Sequence, residues 1–126
     1  MLSRTAASLG ARTLLIEAGR FGGECLYTGC VPSKALIAAA HAAHSARTAA
    51  RLGVEVTGVT VDFPRVMARV REAIAHIEPV DAPDALVAKG VSVLTGRARF
   101  TGPAEIEVDG HRIRFRDAVI ATGSRP

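Results

Sequence analysis

The chain is poor in several things that mark common protein classes. Tryptophan is absent, tyrosine occurs once, and aromatics make up only 4% of the 126 residues. Lysine is scarce as well, so arginines spread from Arg4 to Arg125 carry nearly all the positive charge behind a net +4. Proteins that grip nucleic acid gather basic residues on one face and interleave aromatics that stack on bases. This composition argues against a nucleic-acid partner and for a solvated arginine surface, which also suits a small anionic cofactor. No uninterrupted apolar run approaches the roughly 20 residues needed to cross a bilayer. The stretch from Met1 to Gly10 lacks the apolar core of a signal peptide. No membrane partner is expected, and the cytoplasm is the default location. Walker-type GKS/T, HExxH and GxSxG are all missing, which argues against kinase, metalloprotease and hydrolase chemistry.

What is present amounts to one domain's worth of chain, 48% hydrophobic and 22% charged, as in ordinary soluble proteins. Residues 4–9 read as a helix closed by Gly10, followed by a buried strand from Arg12 to Ile16 that ends at Glu17. A glycine-rich loop, 18–23, comes next. The alanine-rich stretch from about Ser33 to Leu52 favours helix and stops at Gly53. A second helix is predicted over 64–78, with Val66, Val70, Ile74 and Ile77 on one face. Pro79 and Pro83 bracket a turn before a short helical piece at 84–89. Strands are predicted at 91–94 and 97–100. Residues 105–108 and 112–115 alternate polar with apolar across Asp109-Gly110, a strong hairpin signal. Ala118 to Ala121 reads as a last apolar strand running into Thr122-Gly123-Ser124. The fold class is α/β, a partial Rossmann-like domain with a small antiparallel β insert.

The chemistry gathers around two cysteines. Cys25 and Cys30 sit in Gly22-Gly23-Glu24-Cys25-Leu26-Tyr27-Thr28-Gly29-Cys30-Val31-Pro32-Ser33-Lys34. A pair at this spacing bridges across a loosened helical turn when its Cα atoms come within about 7 Å. Near a helix N-terminus the dipole lowers a thiol's pKa, and Lys34, four residues past Cys30, adds to that field. A disulfide of this kind in a cytosolic protein is usually catalytic or redox-sensing. Two other readings stand beside it. The cysteines could be buried and unpaired, or they could join His41 and His44 in a two-cysteine, two-histidine zinc site. A continuous helix, however, would carry His41 about 16 Å beyond Cys30, and the histidines read more simply as exposed helix residues. Glu17, at the tip of a strand after helix and glycine, suits the two ribose hydroxyls of an adenine dinucleotide better than a merely solvated acid would. The small-residue turns at Gly96-Arg97-Ala98 and Ala121-Thr122-Gly123-Ser124 allow close backbone approach to a ligand, though each alone is more often an ordinary turn.

The cysteine segment closely resembles the active-site signature of the class I pyridine nucleotide-disulfide oxidoreductases, flavoproteins that include dihydrolipoamide dehydrogenase and mercuric reductase. Leu14 to Glu17 is similar to that family's second strand and ribose-binding acid, Gly96 to Phe100 to its adenine-side turn, and 121–126 to the segment closing the first half of its FAD domain. The resemblance implies that Cys25 is the interchange thiol that meets substrate and Cys30 the charge-transfer thiol facing the flavin. It further implies that Lys34 lies by the flavin N5 edge and that Glu17, Gly22, Gly23, Ala98, Thr122 and Gly123 line FAD. In the implied cycle electrons pass between NAD(P)H, FAD and the cysteine pair, and on to a small dithiol, disulfide or metal-ion substrate. The parent enzyme is expected to be a homodimer.

Two positions depart from the motif: Glu24 stands where threonine is frequent, and Tyr27-Thr28 where many members have Asn-Val. Ser33 fits the dihydrolipoamide dehydrogenase and mercuric reductase branches. A helix, strand and acid at the start are the second half of a βαβ unit. The expectation is therefore that 1–126 is a partial FAD-binding domain, with its first strand and G-x-G-x-x-G upstream and the NAD(P) and dimerisation domains downstream. Lacking those parts, the isolated chain is predicted to hold little or no FAD and to turn nothing over. Gel filtration followed by flavin absorbance checks this, and stoichiometric protein-bound flavin would refute it.

Overall fold

A computed structural model describes residues 2–124; Arg125 and Pro126, the end of the motif-like closing segment, lie outside the described residues. The chain divides into two compact units, one from Glu24 to Pro79 and the other formed by the residues before and after that stretch.

The split unit holds the α/β framework. Helix α1 (Leu2–Ser8) ends where Gly10, at φ 87°, lets the Ala11 and Gly10 amides donate to the carbonyls of Ala6 and Ala7. That pair of bonds is a Schellman closure, which needs a left-handed residue and so favours glycine. Strand β1 (Thr13–Glu17) follows and pairs in parallel with β2 (Val91–Thr95), Thr13 opposite Val91 and Glu17 opposite Thr95. Helix α1 packs on both strands, and α5 (Pro83–Val87) packs on β2. Val91 and Leu86 are the buried anchors of this layer. Arg4 of α1 donates to the Val80 carbonyl at 2.6 Å and to the Asp81 carboxylate, which ties the helix to the segment leading into α5.

Beyond β2 the chain turns at Gly96 into an antiparallel sheet of β3 (Ala98–Gly102), β4 (Glu105–Val108) and β5 (His111–Arg114), in that order. Asp109 and Gly110, at φ 48° and 82°, make the two-residue primed turn expected of Asp-Gly. One face alternates arginine with glutamate, Arg99 near Glu107 and Arg112 and Arg114 near Glu105. On the other face Phe100 meets Phe115 edge to face at 5.9 Å.

The second unit is helical. It comprises most of α2 (Gly23–Tyr27), then α3 (Cys30–Thr48), a 3₁₀ turn over Ala49–Leu52, and most of α4 (Phe63–Asp81). The 3₁₀ turn ends in a second Schellman closure at Gly53. In α3 the half-buried positions are Cys30, Val31 and Pro32 in the first turn, then Ala35, Leu36, Ala39, Ala43, Ala46 and Thr48, so alanines line most of its covered side. In α4, Val70 is buried and Val66 and Ile74 are half-buried, whereas Ile77, placed on the same face by its spacing, is 36% exposed.

Three expectations change. Helix α3 begins at Cys30 rather than Ser33, because a proline at its third position falls in the first turn, where its missing N–H costs nothing. Helix α4 runs through Pro79 to Asp81 rather than stopping before it. The apolar run 118–121 is not a strand, and Val119 and Ile120 are 68% and 71% exposed. A strand needs a neighbour to take its ladder bonds, and among the described residues β1 and β2 pair only with each other.

Gly96 supports a prediction. At φ 153°, a Cβ there would lie 2.5 Å from Cγ1 of the buried Val108 and 2.7 Å from the Asp109 carboxylate. Gly58 has a similar φ of 155° with nothing within 4 Å. Gly96→Ala should therefore destabilise more than Gly58→Ala by roughly 1–3 kcal/mol, the usual cost of overpacking. Urea unfolding of both variants measures the difference, and equal midpoints would show that Val108 yields freely.

Candidate functional site

Cys25 lies in α2 and Cys30 opens α3, and the two are joined as a disulfide with Cα atoms 4.7 Å apart. The turn between them is unusually close. The amides of Thr28 and Gly29 both donate to the Glu24 carbonyl, at 2.9 and 2.6 Å. A Cβ on Gly29 would sit 3.0 Å from that same oxygen and 3.3 Å from the Cys25 Cα. Glycine is needed here for clearance and not for a left-handed backbone, since its φ is −111°. Two further contacts fix α2: Leu26 is 2% exposed, and the Tyr27 hydroxyl donates to Glu78 Oε1 at 2.9 Å.

The two sulfurs are not equivalent. Cys25 is exposed, whereas Cys30 is half-buried at the first position of a 19-residue helix. The cap residue of that helix is Gly29, which offers no side-chain acceptor, so the positive end of the helix dipole bears on Cys30. The Ser33 hydroxyl turns back to the Gly29 carbonyl at 2.7 Å. Lys34, exposed, follows one turn after Cys30. The pair closes a loop of only a few residues, and such a loop removes little unfolded-state entropy, about 2 kcal/mol in the chain-entropy treatment. A bridge between near neighbours is therefore weak as a staple and well suited to opening and closing. Because both sulfurs are taken up by the bridge, the four-ligand zinc set is not assembled. His41 and His44 are exposed on α3, and no cluster of three metal-ligating groups occurs among the described residues.

The other candidates belong to the α/β unit. Glu17 ends β1, and its Oε1 accepts the Gly19 amide at 2.7 Å while its carbonyl accepts the Gly96 amide at 2.9 Å. The strand-end carboxylate and the Gly96 turn are thus brought together. Gly22 and Gly23 have φ of 113° and 65°, and a Cβ on Gly23 would meet open space. Ala98 is exposed at the start of β3, on an open depression of about 500 Å³ shared with Arg97, Arg99, Glu107, Asp109 and Gly110. Thr122 and Gly123 are exposed in an irregular segment, Gly123 at φ 77°. The sequence named Gly29 and Tyr27 within the motif but gave neither a role. Glu78, 51 residues from Tyr27, carried no local signal at all.

The model of the family described as pyridine nucleotide-disulphide oxidoreductase matches residues 2–126. Dihydrolipoyl dehydrogenase of Geobacillus stearothermophilus is 34% identical over 129 residues, covering 96% of this chain and 26% of that protein. The dihydrolipoyl dehydrogenase of Thermus scotoductus is 37% identical over 120 residues, covering 95% of this chain and 26% of its own length. Among solved structures, the HOCl-induced flavoprotein disulfide reductase RclA from Escherichia coli superposes with a TM-score of 0.66 at 23% identity. That likeness of fold covers 96% of this chain and 26% of RclA. The chain spans about a quarter of the length of the curated relatives it matches. With the family model matched from residue 2 to residue 126, this chain belongs to the pyridine nucleotide-disulphide oxidoreductases.

Proposed function

We propose that this chain is part of the FAD-binding domain of an enzyme that passes electrons between NAD(P)H and a small dithiol or disulfide by way of the Cys25–Cys30 pair. The observation that carries the proposal is a short-range disulfide that joins an exposed cysteine to a half-buried one at a helix start. The dihydrolipoyl dehydrogenases among its relatives make a dihydrolipoyl-type dithiol the favoured substrate class.

The residues present fit a flavin dinucleotide. Glu17 spends Oε1 on the Gly19 amide, and its Oε2 has no partner among the described residues, so it can accept from a ribose hydroxyl. Gly22 and Gly23 hold backbone conformations that side chains rarely adopt, which lets the main chain approach a ligand closely. Ala98, Thr122 and Gly123 are small or hydroxylic and exposed, as contacts along such a ligand must be. Lys34 supplies a cation one turn past Cys30. When bound, FAD supplies hydride acceptance from the nicotinamide and electron exchange with the cysteine pair.

The cysteines themselves carry out thiol–disulfide exchange. A substrate thiolate attacks the sulfur of the exposed Cys25, the Cys25–Cys30 bond breaks, and Cys30 leaves as a thiolate favoured by the helix dipole. The second substrate thiolate then attacks the substrate sulfur of the mixed disulfide and releases Cys25 as a thiolate. The substrate has lost two electrons and two protons, and the cysteine pair holds the electrons. In the opposite direction the same steps reduce a disulfide. The parent enzyme is proposed to act as a homodimer.

Cysteine variants of the flavin-loaded enzyme test this. Cys25→Ser and Cys30→Ser should each lower dithiol turnover by roughly a thousandfold or more, since each removes an obligatory covalent participant. In the reduced wild-type protein, iodoacetamide should alkylate Cys25 before Cys30. Retained turnover in either variant would overturn the proposed route.

A further inference from the structure

We propose that Tyr27 is a positioning residue for the cysteine couple: its hydroxyl, donated to Glu78, holds α2 in the geometry in which two free thiols re-form the bridge. This rests on the reading that the pair opens and closes in use.

Tyr27 lies between the cysteines, at the last position of a five-residue helix. A helix that short does not persist on its own backbone bonds, so its placement depends on what its side chains touch. The Tyr27 hydroxyl reaches the Glu78 carboxylate of α4 at 2.9 Å, and both side chains are half-buried. A hydrogen bond to a charged acceptor in a partly dry setting is stronger than an exposed neutral one.

The two redox states need this contact differently. In the oxidised state the bridge itself fixes Cys25 against Cys30. In the dithiol that covalent tie is gone, and the remaining restraints on α2 set the effective concentration of one thiol at the other. Bridge and hydrogen bond require the same placement of α2, so each strengthens the other, and reciprocally reduction loosens the Tyr27–Glu78 contact. The contact thereby makes the pair easier to oxidise and its disulfide harder to reduce. Tyr27 stands where the resembling motif commonly has asparagine, which has no phenolic hydroxyl to reach as far as Glu78.

The test is a redox titration of the full 126-residue chain against mixtures of reduced and oxidised dithiothreitol, scored by alkylation of free thiols. Each dithiothreitol that closes to its cyclic disulfide gives two electrons and two protons to the Cys25–Cys30 bond and leaves two thiols. Tyr27→Phe, which removes one oxygen atom, should weaken bridge closure about fivefold, within the range of one net hydrogen bond. For a two-electron couple that is a potential about 20 mV less negative. Glu78→Leu should shift the potential in the same direction, the double variant should shift it by less than the sum of the two, and Glu78→Gln, which keeps an acceptor oxygen but loses the charge, should shift it less than Glu78→Leu. Tyr27 is the only tyrosine and there is no tryptophan, so tyrosine emission should change on reduction of the wild type and report α2 directly. A potential unchanged in Tyr27→Phe, or shifts that add in the double variant, would overturn the inference while leaving the redox reading intact. A wild-type bridge that dithiothreitol cannot open would overturn both.

Discussion

The approach of two backbone segments at Gly29 governs the chemistry of this chain. Because that residue has no side chain, the turn after α2 folds directly onto the Glu24 carbonyl and the Cys25 Cα. The Cα atoms of the two cysteines reach 4.7 Å as a consequence, and the sulfurs join without α3 having to unwind. A side chain at Gly29 would require the backbone at Glu24 and Cys25 to give by a few tenths of an ångström. The asymmetry of the pair follows from the same turn. It ends at the first residue of a long helix, which half-buries Cys30 under the helix dipole and leaves Cys25 at the surface.

The α/β unit meets a comparable constraint at Gly96. The chain leaves β2 there and enters β3 beneath Val108, where a Cβ would collide with the isopropyl group. The Gly96 amide also bonds the carbonyl of Glu17 and so fixes the position of the carboxylate at the end of β1. One glycine therefore sets both the junction between the sheets and the placement of the acid. The core behind them is thin. Val91, Leu86 and Val108 are the buried apolar side chains of this unit, and Leu26 and Val70 those of the other. Local geometry at turns therefore matters more to these sites than bulk packing.

Tyr27 and Glu78 add a third kind of constraint, a polar contact between residues 51 positions apart. It joins the short helix that carries Cys25 to α4, whose apolar stripe gives no hint of such a role.

The sequence alone determined whatever depends on local chemistry. Glycine closed α1 and the 3₁₀ turn because only a left-handed residue completes those bonds, Asp109-Gly110 made the primed hairpin, and alanine sustained α3. The cysteine motif pointed to the disulfide as one of three readings and, by its resemblance, to the family. Tertiary structure decided what depends on neighbours. Whether 118–121 becomes a strand turns on a ladder partner, which apolar residues cannot supply for themselves. The clearance at Gly29, the collision that reserves Gly96 for glycine, and the bond from Tyr27 to Glu78 all arise between atoms distant along the chain or set by its path, and no local pattern of residue types encodes a distance in space.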